Sequence, residues 1–159
     1  MNDTRQIQTR ELTTPEMWAE FHHFVGRLAP TETDQVSVLF AFAWGFAVYG
    51  DRKNWCYLRL TPSALYAKVQ DLEQQEEGHI GNSDLFLLPE DKSFQIQLCH
   101  ESDVHIIFDK PSDFTANEKA RWQELGYVPC EWTKKGNKWV EPSGGAYVSS
   151  TAGDPSAHP

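Results

Sequence analysis

The residue types best suited to chemistry lie together between Cys99 and His105, in the run Cys-His-Glu-Ser-Asp-Val-His. Two histidines and a nearby carboxylate can bind zinc or iron, so His100, Glu101 and His105 are the candidate ligands. The helical HExxH zinc motif spaces its histidines four apart, whereas these two are five apart and flank a turn. A turn rich in Asp and Ser, with His105 facing outward, is the simpler interpretation, and we predict no cofactor.

A cysteine nucleophile is the second chemistry that this run allows. Cys99 would need a histidine base, and His105 and His79 are the candidates. The chain contains no nucleophile elbow, no Walker loop and no dinucleotide-binding fingerprint. We therefore predict no catalytic residues and a protein that is not an enzyme. A metal-dependent enzyme using His100 and His105 remains the alternative.

Acidic residues are concentrated in about a quarter of the chain. Residues 71–113 hold eleven Asp or Glu and two Lys, while the whole chain has a net charge of −9 and a pI near 5.0. Nucleic acid requires clustered Lys and Arg, so it is not expected as a partner. Concentrated negative charge favours encounter with a basic protein, although it can also serve solubility alone. The predicted partner-binding carboxylates are Glu73, Glu76, Glu77, Glu90, Asp91, Glu101 and Asp103.

The composition is that of one folded domain. The chain has 159 residues, of which 40% are apolar and 13% aromatic, enough for a sizeable core. Its N-terminus is polar and shows no secretory signal, and no apolar run is long enough to span a bilayer. Three cysteines without close spacing fit reduced thiols. We therefore expect a cytoplasmic protein without a membrane partner.

The run Val36–Tyr49 is the most apolar stretch and should organise the fold. Its even positions are large and its odd positions mostly small, which is the period-two pattern of a strand. We predict a central strand here, with a buried helix as the rival interpretation because Ala favours helix. Residues 55–60 would pair with it as a hairpin.

The remaining elements follow from caps and periodicity. Helices are predicted from Thr13 or Thr14 to Pro30, from Thr61 to about Glu76, and from Thr115 to Gly126. Residues 84–88, 93–99 and 104–108 should form a meander, and residues 127–132 an edge strand. This order predicts an α+β fold: a single two-layer domain in which about three helices pack on an antiparallel sheet. Residues 1–12 are expected to be a flexible arm, residues 13–140 the domain, and residues 141–159 a disordered tail.

A resemblance to a known class accompanies these features. Trp18 in the first helix, Asp84–Leu88 and Leu98–His105 resemble the small acidic immunity proteins of bacterial polymorphic-toxin and contact-dependent inhibition systems. That resemblance implies an inhibitor that binds and neutralises a cognate toxin domain. The chain is also similar in size, acidity and fold class to type III secretion chaperones. A structural subunit of a larger assembly is a further alternative.

Overall fold

A computed structural model describes residues 3–141 and the backbone of residues 146–147. Within these residues the fold is α+β, with four α-helices and nine strands. The helices are α1 (Thr14–Leu28), α2 (Ala43–Tyr49), α3 (Pro62–Gln74) and α4 (Asp113–Glu124), and a short 3-10 turn spans Arg52–Asn54. The strands are β1 (Arg5–Gln8), β2 (Val36–Ala41), β3 (Leu58–Leu60), β4 (Asp84–Leu88), β5 (Phe94–Leu98), β6 (Val104–Phe108), β7 (Cys130–Lys135), β8 (Lys138–Val140) and β9 (Ala146–Tyr147). None of the helices in the described part of the chain is long and apolar enough to cross a membrane.

All strand pairs are antiparallel, and the strand order is β3-β2-β4-β5-β6-β1-β7-β8-β9. The core lies on one face of this sheet, where residues of α1, α3 and α4 pack with alternate strand residues. Met17 and Phe21 of α1, Leu65 of α3 and Trp122 of α4 are fully buried there. The predicted α+β class and antiparallel sheet are confirmed, as is the meander β4–β5–β6.

Side-chain caps explain where the three long helices begin. Thr13 caps α1 and forms the expected capping box with Glu16, and Thr61 caps α3 ahead of Pro62. The cap of α4 differs from the prediction, because Ser112 rather than Thr115 occupies the N-cap position. Counted from cap to cap, that helix begins three residues earlier than the spacing of Thr115 and Glu118 indicates.

The N-terminal segment is part of the sheet. Residues Arg5–Gln8 form β1, which pairs with β6 on one side and with β7 on the other. The prediction of a flexible arm over residues 1–12 is therefore wrong for these residues. Ile7 is the only large apolar residue in the strand and is buried in the core, so the strand has too few apolar positions to show a pattern.

The run Val36–Tyr49 is half strand and half helix. β2 ends at Ala41, and α2 begins at Ala43, so the prediction of one strand over residues 36–49 is wrong for its second half. Trp44 turns into the core while Phe42 and Phe46 remain exposed. The even positions therefore do not share one face. β2 does pair with β3, as the hairpin prediction required, but α2 and the 3-10 turn connect them.

The C-terminal strands extend the sheet beyond the predicted edge. β7 lies between β1 and β8, so it is an interior strand rather than the predicted edge strand. Pro129 precedes β7 and leaves its hydrogen bonds intact. Residues 146–147 pair with β8, which corrects the disordered-tail prediction for these two residues. The rest of the predicted tail, residues 142–145 and 148–159, lies outside the described residues.

A buried ion pair joins α1 to α4. The Arg121 guanidinium contacts both carboxylate oxygens of Glu20, at 2.8 Å and 2.6 Å. Trp122 Nε1 donates to the same carboxylate, and Arg121 Nε donates to Glu118. His23 lies 2.9 Å from Glu118 and completes the network. Because Glu20 and Glu118 are buried, each needs these partners to remain charged inside the protein.

Candidate functional site

One end of the sheet brings several loops together. Ala41 at the end of β2 pairs with Asp84 at the start of β4. The β5–β6 turn reaches the same end, because β5 runs antiparallel to β4. The loop after α3 joins them there, since Ser102 Oγ donates to Gly81 O at 2.9 Å. This end is therefore built from the corner after β2, the loop of residues 75–83 and the turn of residues 99–103.

Phe42 occupies the corner between β2 and α2 in a strained backbone conformation. Its φ of 58° and ψ of −132° fall in a region that glycine adopts far more readily than residues with a Cβ. The residue is 42% exposed, and its ring lies flat against the His100 ring, with centroids 4.3 Å apart and an angle of 5°. An exposed aromatic ring is thus held in a fixed orientation at a site of backbone strain.

Asp84 fixes the position of the His100 ring. The Asp84 Oδ1 atom accepts a hydrogen bond from the His100 backbone N–H at 2.8 Å and lies 2.9 Å from His100 Nδ1. Asp84 is fully buried, so this contact is shielded from solvent. The His100 ring therefore has a defined orientation, and it forms a platform for Phe42.

Phe46 adds a second exposed ring one turn along α2. It is 52% exposed and packs edge-on against Trp55, with centroids 5.2 Å apart. The Arg52 guanidinium lies 5.6 Å from the Phe46 centroid, within the range of a cation–π contact. We call Phe42, Phe46 and His100 the aromatic patch. Phe42 and Phe46 are its exposed members, whereas the His100 side chain is only 15% exposed and supports the Phe42 ring.

Three of the predicted partner-binding carboxylates are exposed at this end of the sheet. Glu101 directly follows His100 in the β5–β6 turn, and Glu76 and Glu77 lie in the loop after α3. That loop reaches the corner of the aromatic patch, because Gly78 lies against the Trp44 side chain. We call Glu76, Glu77 and Glu101 the acidic rim. Glu101 is thus adjacent in the chain to His100, and the loop that carries Glu76 and Glu77 contacts the start of α2 through Ser83 and Trp44.

The other four predicted carboxylates do not join this surface. Glu73 Oε1 accepts a hydrogen bond from Ile80 N and supports the loop. Asp103 is only 5% exposed and accepts from Gln8 Nε2 at 2.8 Å, so it contributes no carboxylate to an exposed face. Glu90 and Asp91 lie in the β4–β5 turn, at the opposite end of β5. That strand has five residues, which puts them roughly 17 Å away along its axis.

The chemical cluster predicted from sequence is arranged differently in the structure. Among the described residues, potential metal ligands group as Asp84, Cys99 and His100, and as Cys99, Asp103 and His105. The predicted set of His100, Glu101 and His105 is not brought together, because Glu101 points into solvent and the two histidines bind different carboxylates. The outward-facing position predicted for His105 is also wrong, since its side chain is buried.

Cys99 is not arranged as a nucleophile. Its thiol is fully buried, and burial together with the Asp103 and Asp84 carboxylates raises the pKa of Cys99 well above its usual range. Nucleophilic cysteines require the opposite, a lowered pKa and access to substrate. His79, the other candidate base, is held by its own loop through Ile80 O and Asn82.

The sequence does not single out three residues of this site, Phe42, Phe46 and Asp84. Its pattern places both phenylalanines in a continuous strand, and it gives Asp84 no role as a buried partner of a histidine. A backbone with positive φ at a phenylalanine leaves no pattern in the sequence, and the burial of Asp84 depends on the sheet. Comparisons of the chain with protein-family models, curated proteins and solved structures found no match.

Proposed function

We propose that this protein is a non-catalytic binding protein that docks a basic protein on the aromatic patch and the acidic rim. In the form that the sequence resemblance suggests, it is a cytoplasmic immunity protein that neutralises a bacterial toxin domain. The observation that carries the proposal is the strained, exposed Phe42 stacked on His100.

The strain at Phe42 supports a binding role because it opposes stability. A residue held at positive φ in a sparsely populated region costs about 1–3 kcal/mol. The ring is only partly compensated by burial, since it stacks on His100 while Phe42 remains 42% exposed. Strained residues of this kind are typical of ligand-binding surfaces, where the required orientation has to exist before the partner arrives. A partner that covers the ring would bury the apolar surface that is still exposed, and this burial would contribute favourably to binding.

The chemistry of the surface selects the class of partner. Aromatic faces attract Arg and Lys side chains, and carboxylates form charge-assisted hydrogen bonds with them. The acidic rim adds three exposed carboxylates in the loops at this end of the sheet, while nucleic acid phosphates would be repelled. A basic protein surface that presents Arg side chains therefore matches Phe42 and the acidic rim, whereas the Phe46 ring already carries the protein's own Arg52. Protein interfaces usually have aromatic residues at their centre and polar or charged residues at their rim.

The test is capture of the partner followed by a comparison of variants. Tagged wild-type protein is incubated with an extract of its native cells at low salt, and bound proteins are eluted with a salt gradient. We expect a stoichiometric basic protein that is released as the salt concentration rises. Its affinity is then measured for wild type, Phe42→Gly, Glu101→Lys and Glu90→Lys. The last variant is the matched control, because it makes the same charge change at the opposite end of the sheet.

The proposal requires that Phe42→Gly and Glu101→Lys each weaken the complex by at least about tenfold, or roughly 1.4 kcal/mol. Glu90→Lys should leave the affinity within about twofold of wild type. Equal binding by all four proteins, or no captured partner, contradicts it. Co-expression then distinguishes the biological roles: an immunity protein abolishes the toxicity of its partner, whereas a secretion chaperone leaves its partner active and soluble.

A further inference from the structure

A second site lies beneath the β5–β6 turn and is built from residues that the binding proposal does not use. The Cys99 sulfur, a carboxylate oxygen of Asp103 and a ring nitrogen of His105 lie within 4.8 Å of one another. All three side chains are buried, with exposed fractions of 0%, 5% and 1%. The Cys99 backbone N–H donates a hydrogen bond to the Asp103 backbone carbonyl at 2.9 Å. This bond closes the turn and fixes the spacing between Cys99 and Asp103.

We propose that Cys99, Asp103 and His105 form a binding site for one zinc-type divalent metal ion. Zinc accepts sulfur, imidazole nitrogen and carboxylate oxygen, whereas magnesium and calcium require oxygen ligands almost exclusively. Zinc–ligand bonds of about 2.0–2.3 Å place tetrahedral ligand atoms roughly 3.3–3.8 Å apart. The three groups therefore need to move together only slightly. As the sulfur–metal bond forms, the thiol proton is released to solvent.

The state of His105 is the independent observation that indicates a ligand. His105 Nε2 lies 3.1 Å from Asp103 Oδ1, an ion-pair distance, but it makes no well-directed hydrogen bond. Nδ1 has no hydrogen-bond partner among the described residues either. A fully buried imidazole normally uses both ring nitrogens. A metal ion bound to one of them would supply the missing contact.

The surroundings support the same assignment. Gln8 Nε2 donates to Asp103 Oδ2 at 2.8 Å, and Gln6 Nε2 donates to Gln8 Oε1 at 3.0 Å. This chain orients the carboxylate and leaves Oδ1 directed at His105, as supporting residues around metal ligands do. Gln97 lies directly opposite His105 on β5, and its buried Oε1 also has no partner within the described part of the chain. A water molecule in the fourth metal position could donate a hydrogen bond to it.

The neighbouring group of Asp84, Cys99 and His100 fits a metal less well. His100 and Asp84 already bind each other, and His100 stacks on Phe42. Binding a metal there would break contacts that the aromatic patch needs. At His105 a metal would instead bind a ring nitrogen that has no hydrogen-bond partner among the described residues.

The first experiment uses the unmodified, full-length protein. We expect one Zn²⁺ per chain by elemental analysis after dialysis, and Co²⁺ substitution should produce a thiolate-to-cobalt charge-transfer band in the near ultraviolet. Weak binding by surface histidines would give metal uptake without that band. Absence of stoichiometric uptake, or uptake without the thiolate band, overturns the proposal.

The second experiment uses matched cysteine variants and zinc titration calorimetry. Cys99→Ser and His105→Gln should each weaken Zn²⁺ binding by more than the roughly 10–100-fold that loss of a supporting residue costs. Cys56→Ser is the control, because Cys56 is exposed and lies outside both ligand groups. Its affinity should equal that of wild type. Unchanged affinity in a folded Cys99→Ser, or loss of affinity in Cys56→Ser, contradicts the site.

Discussion

The Phe42 ring is parallel to the His100 ring at a distance of 4.3 Å, on a backbone conformation that favours glycine. The first prediction follows from this combination. Phe42→Gly should raise the free energy of unfolding by about 0.5–1 kcal/mol, because relief of the strained φ outweighs the loss of the partly buried stacking contact with His100. Urea unfolding measures the change. The same variant should lose partner binding, so stability and binding would change in opposite directions. A clear loss of stability would show that the ring serves the fold.

The acidic rim predicts a charge-dependent interaction. Reversal of Glu76 and Glu77 to Lys should weaken the partner complex and flatten its dependence on salt, because the long-range attraction is removed. Reversal of Glu90 and Asp91 changes the net charge equally at the far end of β5 and serves as the control. Affinity measured at several salt concentrations separates the two pairs. An equal effect of both would indicate that net charge, rather than this surface, controls binding.

The ion pair between α1 and α4 predicts a large effect on stability. Arg121→Met leaves the buried Glu20 carboxylate without its cation and should lower the free energy of unfolding by roughly 3 kcal/mol. This is the low end of the range for buried pairs, because Arg121 is itself partly exposed. Lys53→Met, which removes one partner of an exposed pair with Asp51, should cost less than about 1 kcal/mol. Comparable losses in the two variants would contradict the assignment.

The same network predicts a dependence on pH. Burial raises the pKa of Glu118, but hydrogen bonds from His23 and Arg121 outweigh it, so the net pKa is lower than in the unfolded chain. A group of this kind stabilises the fold above its unfolded value of 4.5 and loses that contribution as the pH falls through its folded pKa. Unfolding free energy should therefore fall below about pH 4.5 more steeply in wild type than in Glu118→Gln. Parallel curves for the two proteins would rule out this contribution.

The sequence predicted the elements whose determinants are local. The Thr13–Glu16 capping box and the Thr61–Pro62 start require only neighbouring residues, and both occur as expected. The alternation in β5 was also sufficient, since Phe94, Ile96 and Leu98 face the helices. Helix caps between neighbouring residues and the period-two alternation of strands were therefore enough to predict the α+β class.

The errors arose where long-range contacts decide the structure. Gly45 in α2 allows Trp55 to lie so close that a Cβ atom would overlap its ring, and this contact helps place α2 against the sheet. The pattern of Val36–Tyr49 contains no sign of that partner. Asp103 is wrongly predicted as an exposed binding carboxylate, because only the folded chain brings Gln8 to it. Glu20 is not singled out at all, because its partner Arg121 is distant in the sequence. Charged residues that are buried with distant partners are not recognisable from their immediate neighbours.

The central position of β1 determines the order in which the sheet can be completed during synthesis. Its pairing partners lie from 97 residues away, for Gln8 and His105, to 128 residues away, for Arg5 and Thr133. β1 leaves the ribosome before any other strand described here, yet its first neighbour, β6, is complete only at residue 108 and its second, β7, only at residue 135. Such distant pairing slows folding, and deletion of these few residues would expose the edges of both β6 and β7. A short N-terminal truncation should therefore produce aggregation rather than a slightly smaller domain.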